Sequence, residues 1–230
     1  MSGPEVLVFD VFGTVVDWYS GIKDEVDALD CGLDGHEIAL AWRAGYQPAM
    51  ETVRSGGEWV KLDVLHRRIL DGVLAERGRD DIDEATRTHL TRAWHRLPAW
   101  PDSVEGIHRL AARFTVCPLS NGNLSLLTHM AKRAGLHWDC VLSAEVFRAY
   151  KPDAATYLGV ADVFDLPPAS VMMVACHPED LDAAASHGLP CAYVDRPLEF
   201  GPGAALERAP RPSGTLEVAS MTELANALGC

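Results

Sequence analysis

Short blocks of consecutive apolar residues, each ending in a polar or charged position, recur along this chain. The first is Val6-Leu7-Val8-Phe9, which runs directly into Asp10. Similar blocks occupy residues 114–119, 140–143, 171–176 and 191–194. Runs of this length, apolar throughout and rich in branched side chains, predict strands buried on both faces. Between the later blocks the apolar positions fall at helical spacing. Strands and helices therefore alternate, and that rhythm predicts a doubly wound parallel sheet of the α/β class.

The rhythm breaks once. Residues 18–99 contain no good strand pattern and are rich in Ala, Leu, Glu, Arg and His at helical spacing. Leu62, Leu65, Ile69, Leu70 and Val73, for example, cover one helical face. Gly32, Gly56-Gly57 and Gly78 mark helix stops, and residues 80–84 form an acidic start. Four or five helices are expected. The run Leu97-Pro98-Ala99-Trp100-Pro101 reads as a hinge, after which Asp102 or Ser103 is placed to cap a helix. The expected organisation is a core made of residues 1–16 and 100–230, with residues 17–99 inserted as a helical cap. Beyond Pro197 the chain is rich in Gly and Pro as far as Gly214, and it closes with residues 215–219 and a short helix near 222–228. It contains no internal repeat.

Charge and composition narrow the class of partner. With 230 residues and 48% hydrophobic content the chain can build one substantial core. Its formal charge of -13 argues against nucleic acid and anionic membrane surfaces as partners. No apolar stretch approaches the roughly 20 residues of a membrane helix, and residues 1–5 lack the pattern of a secretory signal. Cys31, Cys117, Cys140, Cys176, Cys191 and Cys230 show no metal-type spacing, and four lie in the apolar blocks. They read as reduced core thiols, and the expected location is the cytoplasm.

The chemistry-bearing residues sit where the apolar blocks end. Asp10 follows the first block and enters a turn made possible by Gly13, with Thr14 placed to hydrogen-bond its carboxylate. Ser120-Asn121-Gly122-Asn123 follows the second block, and polar donors there can bind an anion. Tyr150-Lys151-Pro152-Asp153 follows the third; Pro152 reads as a helix start that fixes Lys151 at the rim, with Tyr157 in the helix beyond. His177, Glu179 and Asp180 follow the fourth. Each of these has an ordinary structural reading, such as an Asn-Gly turn, a solvated lysine or a helix N-terminus with acidic charges. Their joint occurrence at four strand ends is what points to a site.

This set resembles the four motifs of the haloacid dehalogenase superfamily, in order and over nearly the whole chain: residues 10–14, Ser120, Lys151, and Glu179-Asp180. The resemblance implies a Rossmann-like core with a helical cap inserted after the first strand. Phosphatases of the superfamily carry a second aspartate two residues after the nucleophile, where this chain has Phe12. General acid help is worth about 10²–10⁴ in rate, or roughly 3–5 kcal/mol. Phe12 cannot supply it, whereas a departing halide needs no proton.

Trp42-Arg43 and Ser120-Asn121-Gly122 resemble the L-2-haloacid branch, as does Lys151 with Tyr157. That resemblance implies a hydrolytic dehalogenase that converts short (S)-2-haloalkanoic acids to 2-hydroxy acids through an aspartyl ester. Asp10 would attack, Thr14 and Lys151 would support it, and Asp180 with His177 would serve the water step. Val11, Phe12, Arg43, Trp59, Ser120, Asn121 and Tyr157 would line the substrate and halide sites, with Trp59 placed in a cap helix. The partner would be a small halogenated carboxylic acid, a homodimer is the family expectation, and no cofactor is needed. One departure stands out: Ala175 and His177 replace the usual Ser and Asn of the fourth motif. His177 is open to two readings, as a base or as the residue that orients Asp180. Two alternatives remain at this point: a Mg²⁺-dependent phosphatase or phosphonatase-like hydrolase with Asp10 and Asp180 as metal ligands, and a non-catalytic ligand-binding or interaction protein.

Overall fold

The computed structural model describes residues 3–204 and 209–230. Residues 1–2, within the segment read for a leader, and 205–208, within the Gly- and Pro-rich tail, lie outside the described residues. Strand β1 (Val6–Phe9) is followed by five inserted helices: α1 (Trp18–Asp27), α2 (Gly35–Ala44), α3 (Tyr46–Arg54), α4 (Leu62–Glu76) and α5 (Glu84–Thr91). A 3-10 turn at Arg92–Arg96 and helix α6 (Ser103–Ala111) lead into β2 (Thr115–Ser120). Then come α7 (Leu124–Ala134), β3 (Leu142–Ser143), α8 (Ala144–Phe147), α9 (Ala154–Val163), β4 (Val171–Ala175), α10 (Pro178–Ser186) and β5 (Cys191–Val194). Strand β6 (Leu216–Val218) and helix α11 (Met221–Ala227) close the chain.

The six strands form one sheet in the order β3-β2-β1-β4-β5-β6, and every neighbouring pair is parallel. The expected α/β class and doubly wound parallel sheet are found. Period-two alternation sends Leu7 and Phe9 to one face, with Ile107, Leu110 and Leu224, and Val6 and Val8 to the other, with Val160, Leu181 and Leu189. Each fully buried side chain of this kind contributes about 1.5–3 kcal/mol. The first of these cores runs on through Phe12, Val15 and Val16 into Trp18, Trp42, Leu70 and Trp94 of the inserted segment. Phe9 pairs in register with Pro118 on β2 and Val174 on β4. Asp10 and the residues that follow β2 and β4 therefore emerge together at the carboxyl edge, where the chain's winding reverses about β1.

Local chemistry explains the helix limits. Asp17, Asp34 and Asp83 cap α1, α2 and α5 by accepting the N–H groups of Ser20, Glu37 and Thr86. Gly56-Gly57 and Gly78 lie just past α3 and α4, as their spacing predicts. The break between α2 and α3 at Gly45 is not legible from spacing. There a Cβ would lie 2.5 Å from Ile69 Cγ2, so glycine is what lets α4 approach. Among the described residues, no helix is long and apolar enough to cross a membrane.

Three local expectations are corrected. Strand β3 covers only Leu142–Ser143, because the Asp139 carboxylate accepts the Val116 N–H at 2.8 Å and takes the place of a backbone partner. Pro152 does not begin α9; Asp153 holds the N-cap position and the helix starts at Ala154. Asp102 stands at the N-cap of α6 but makes no capping hydrogen bond. Its oxygens accept Arg196 Nη1 at 2.8 and 3.0 Å and the Met221 N–H at 2.6 Å. Ser103 donates its hydroxyl to the Val15 carbonyl at 2.8 Å. Tertiary partners outcompete the local cap in both cases.

Arg196 also donates Nε–H to the Thr14 carbonyl at 2.9 Å, so the Asp102 pair ties the loop after β5 to the turn after β1. Burial works to raise the Asp102 pKa, but Arg196 and the Met221 N–H outweigh it and hold the carboxyl below its ordinary value. Its contribution to stability is therefore present above the unfolded-state pKa of about 3.9 and is lost as pH falls through the lower folded value. Arg196→Met is expected to lower the unfolding free energy in urea melts at neutral pH by about 2–4 kcal/mol, less than for a fully buried pair. The deficit should shrink below about pH 4 as wild-type Asp102 takes up its proton.

Candidate active site

Asp10 leaves β1 with its N–H donated to the Val174 carbonyl at 2.9 Å, which fixes the backbone before the turn. Gly13 turns the chain with φ +87°, in the left-handed region that glycine tolerates. Both Asp10 oxygens are then engaged. Oδ1 accepts Lys151 Nζ at 2.9 Å, Oδ2 accepts the Thr14 hydroxyl at 2.7 Å, and His177 Nδ1 lies 3.1 Å from Oδ2. Thr14 Oγ1 in turn accepts the Cys176 N–H at 2.9 Å, so one hydroxyl locks the loops after β1 and β4 together.

Lys151 is the centre of charge. Its ammonium bridges Asp10 and Asp180, and its backbone N–H is held by Asn121 Oδ1 at 2.8 Å. The other Asp180 oxygen accepts the Tyr157 hydroxyl at 2.6 Å. Burial alone would raise the Asp10 pKa, but the Lys151 charge, with His177 and Thr14, holds it far below the usual carboxylate range. Burial and the neighbouring Asp10 charge push Asp180 upward, against Lys151 and Tyr157. Lys151 is pushed up because its two carboxylates outweigh its burial.

His177 lies between two carboxylates. Its Nε2 is 2.9 Å from Glu199 Oε1, while Nδ1 faces Asp10. Burial opposes its charge, but the Cys176 sulfur, Glu199 and Asp10 outweigh that, and its pKa stands well above the ordinary value. Each ring nitrogen faces a carboxylate oxygen, a geometry that favours the doubly protonated ring. Burial pushes the Cys176 thiol up. Arg43 adds a third cation, with Nη2 4.0 Å from Glu199 and the guanidinium 4.7 Å from the Tyr46 ring centre.

These groups enclose a cavity of about 70 Å³, walled by Asp10, Phe12, Arg43, Tyr46, Asn121 and Lys151. It adjoins a cleft of about 620 Å³, with which it shares Arg43, Gln47, His177 and Glu179. Phe12 meets Trp94 edge-on, with ring centres 5.6 Å apart, and Tyr46 at 6.3 Å. Behind it His66 stacks on Trp94 at 4.2 Å with neither ring nitrogen partnered, and burial lowers its pKa to about 3, so it remains neutral.

The structure brings Asp10, Phe12, Thr14, Arg43, Asn121, Lys151, Tyr157, His177 and Asp180 together. Thr14 stands behind Asp10, and three residues expected to line the substrate and halide sites are not at the cavity wall. The Ser120 hydroxyl, fully buried, accepts the Gly122 N–H at 3.1 Å and so shapes the turn. Val11 is buried, and its carbonyl accepts the N–H groups of Val15 and Val16. Trp59 is in the loop between α3 and α4, not in a helix, and stacks on Tyr150 at 4.7 Å. His177 does not orient Asp180; it faces Asp10 and Glu199. Sequence reasoning missed Tyr46, Gln47 and Glu199. Glu199 sits in what reads as a Gly- and Pro-rich tail; its one available signal is that it follows a buried strand, as Asp10 does. Asp10 and Asp180, the ligands of the Mg²⁺ alternative, both contact the Lys151 ammonium, and the metal-type cluster at the site among the described residues is Asp10, Cys176 and His177, without Asp180.

The family model for haloacid dehalogenase-like hydrolases matches residues 4–188, well over half of the chain. The chain belongs to that family. Among related haloacid dehalogenase-like hydrolases, (S)-2-haloacid dehalogenase 1 of Pseudomonas sp. (strain CBS-3) is 29% identical over 195 residues, which cover 82% of this chain and 83% of the relative. The solved L-2-haloacid dehalogenase PA0810 is 42% identical with a TM-score of 0.94, over 99% of this chain and all of its own. The solved defluorinating L-2-haloacid dehalogenase Rha0230 is 43% identical with a TM-score of 0.95, over 99% and 96% of the two chains.

Removing the central cation tests the electrostatics of this family member directly. In Lys151→Gln, Asp10 keeps His177 and Thr14 while Asp180 keeps only the Tyr157 hydroxyl, so Asp180 should hold a proton at neutral pH. Isotope-edited infrared spectra of Asp-labelled protein should then show a protonated carboxylic-acid band stronger than in the wild type.

Proposed function

We propose that this protein is a hydrolytic dehalogenase of short (S)-2-haloalkanoic acids, releasing halide and a 2-hydroxy acid. The observation that carries this reading is the Asp10 carboxylate, kept ionised by Lys151 at the wall of a cavity of about 70 Å³, with Phe12 rather than an acid two residues on. A cavity so much smaller than the roughly 300–1,000 Å³ of a drug-sized site admits only a few heavy atoms.

Asp10 attacks C2 of the substrate as a carboxylate nucleophile, the carbon–halogen bond breaks, and an aspartyl ester forms. Arg43 and Asn121 receive the halide in a water-poor setting where charge contacts are strong. The substrate carboxylate lies in the cavity against Phe12, with Val11 and Ser120 shaping the turns behind it. Thr14 and Lys151 hold Asp10, and Tyr157 holds Asp180. Water then opens the ester. No step calls for a metal or an organic cofactor. Residues 17–99 act as a cap over a core of residues 1–16 and 100–230, with Trp59 bracing its Tyr150 contact. The partner is a small carboxylic acid, held at the Arg43 and Lys151 cations of the cavity, while the chain's formal charge of -13 disfavours nucleic acid and anionic membrane; the protein works in the cytoplasm and as a homodimer.

Halide release decides the matter. Chloroacetate and (S)-2-chloropropionate should release chloride at the same rate with and without EDTA, the (R) enantiomer should be inert, and a generic phosphate ester with Mg²⁺ should not turn over. Asp10→Asn should lose at least about 10³-fold in rate, as expected for a missing nucleophile. In ¹⁸O water under single-turnover conditions the label should enter Asp10 first; label found directly in the product overturns the ester route. The defluorinating relative brings fluoroacetate into the same panel.

A further inference from the structure

Glu199 belongs to none of the superfamily motifs, yet its carboxylate is built into the site. It is 4% exposed, accepts the Trp18 indole N–H at 3.1 Å, and lies 2.9 Å from His177 Nε2. Gly13 makes the room for it: a Cβ there would fall 2.4 Å from Glu199 Oε1. Its loop is pinned by Arg196, which reaches the Thr14 carbonyl and Asp102, and by Phe200, whose ring packs edge-on against Trp18 at 5.3 Å. Glu199, His177 and Asp10 thus form a continuous line of contacts that ends on the nucleophile.

Resting on the dehalogenase reading, we propose that Glu199 is a positioning residue for ester hydrolysis, holding His177 so that Nδ1 is the base that takes a proton from the attacking water. Asp180 is poorly placed for that work, because one of its oxygens accepts Tyr157 and the other meets Lys151. Ala175, which stands where the branch usually has serine, offers no hydroxyl to help it.

The proton balance follows from the geometry. The ring contacts Asp10, Glu199 and Cys176, and the other charged and titratable groups that line the cavity with it are Arg43, Lys151, Glu179, Asp180, Tyr46 and Tyr157. When Asp10 attacks C2, the halide leaves with the bonding electrons and Asp10 becomes a neutral ester. One of the two carboxylates that keep the imidazolium charged is gone. The ring gives up its Nδ1 proton to solvent, and this is the proton that the net reaction produces beside the halide. Nε2–H stays on Glu199, which fixes the tautomer with its lone pair at Nδ1, as an acid partner does in a hydrolase triad. Water adds to the Asp10 carbonyl carbon and passes one proton to Nδ1. The tetrahedral intermediate collapses, the bond to the alkyl oxygen breaks, and the remaining hydroxyl proton goes to the departing 2-hydroxy acid. The Asp10 carboxylate and the imidazolium are restored.

The test is rapid-quench turnover of chloroacetate, with chloride and the intact protein mass followed together. Glu199→Gln should release about one equivalent of chloride per site at the wild-type rate, then turn over about 10²-fold or more slowly, as general-base losses do. The ester adduct should accumulate on the quenched protein. Trp18→Phe, which removes the indole donor, should shift both readouts the same way by less, and it decides the matter if Glu199→Gln does not fold by circular dichroism. Turnover of Glu199→Gln within about threefold of wild type, or slow turnover without adduct, overturns the proposal. Wild-type protein that releases no halide overturns the dehalogenase reading itself, and the role of Glu199 with it.

Discussion

The site rests on one ammonium group. Asp10 and Asp180 are both buried, at 6% and 7% exposure, and neither could stay ionised in such a setting without Lys151 between them. Taking three charges out of water is costly, and the fold offsets the cost with Thr14 and His177 on Asp10 and the Tyr157 hydroxyl on Asp180. The sheet topology is what makes this arrangement affordable in space. The three groups come from the ends of β1, from the loop before α9 and from the start of α10, and only a parallel sheet delivers all of them to one edge. A second tier of charge, His177 with Glu199 and Arg43, sits beside the first and keeps the cluster close to neutral.

A second constraint is the aromatic wall. Phe12 belongs to the same continuous core as β1 and the inserted helices, and its ring is fixed edge-on by Trp94 and Tyr46. The residue that denies the site a general acid is therefore also a structural joint between sheet and helices. The neutral, unpartnered His66 stacked behind it extends that joint. The surroundings of Asp10 are in this way set by packing as much as by charge.

Much of this was legible in the sequence, for physical reasons. Apolar blocks such as 6–9 and 171–175 can only be strands buried on both faces, and the charged residue after each must lie at the sheet edge. The places of Asp10 and His177 at the sheet edge follow in that way. What stayed hidden depends on partners distant in the chain. Ser120 has the right type and place but spends its acceptor on Gly122, Trp59 finds Tyr150 instead of the cavity, and Asp102 prefers Arg196 to its own helix. Glu199 was hidden by its neighbourhood, since a stretch rich in Gly and Pro gives no periodicity to anchor a prediction.

Gly13 and Glu199 are also bound to each other in a way that restricts which sequences can carry this site. The left-handed backbone at position 13 already disfavours any side chain there by about 1–3 kcal/mol, and the carboxylate of Glu199 fills the space a Cβ would need. The two positions therefore cannot change in either order. Residue 199 can shorten while glycine remains, but position 13 cannot gain a side chain until 199 has withdrawn. Mutational routes through this protein are one-way at that point, and the acid of the His177 pair acts as a gatekeeper for the turn beneath Asp10.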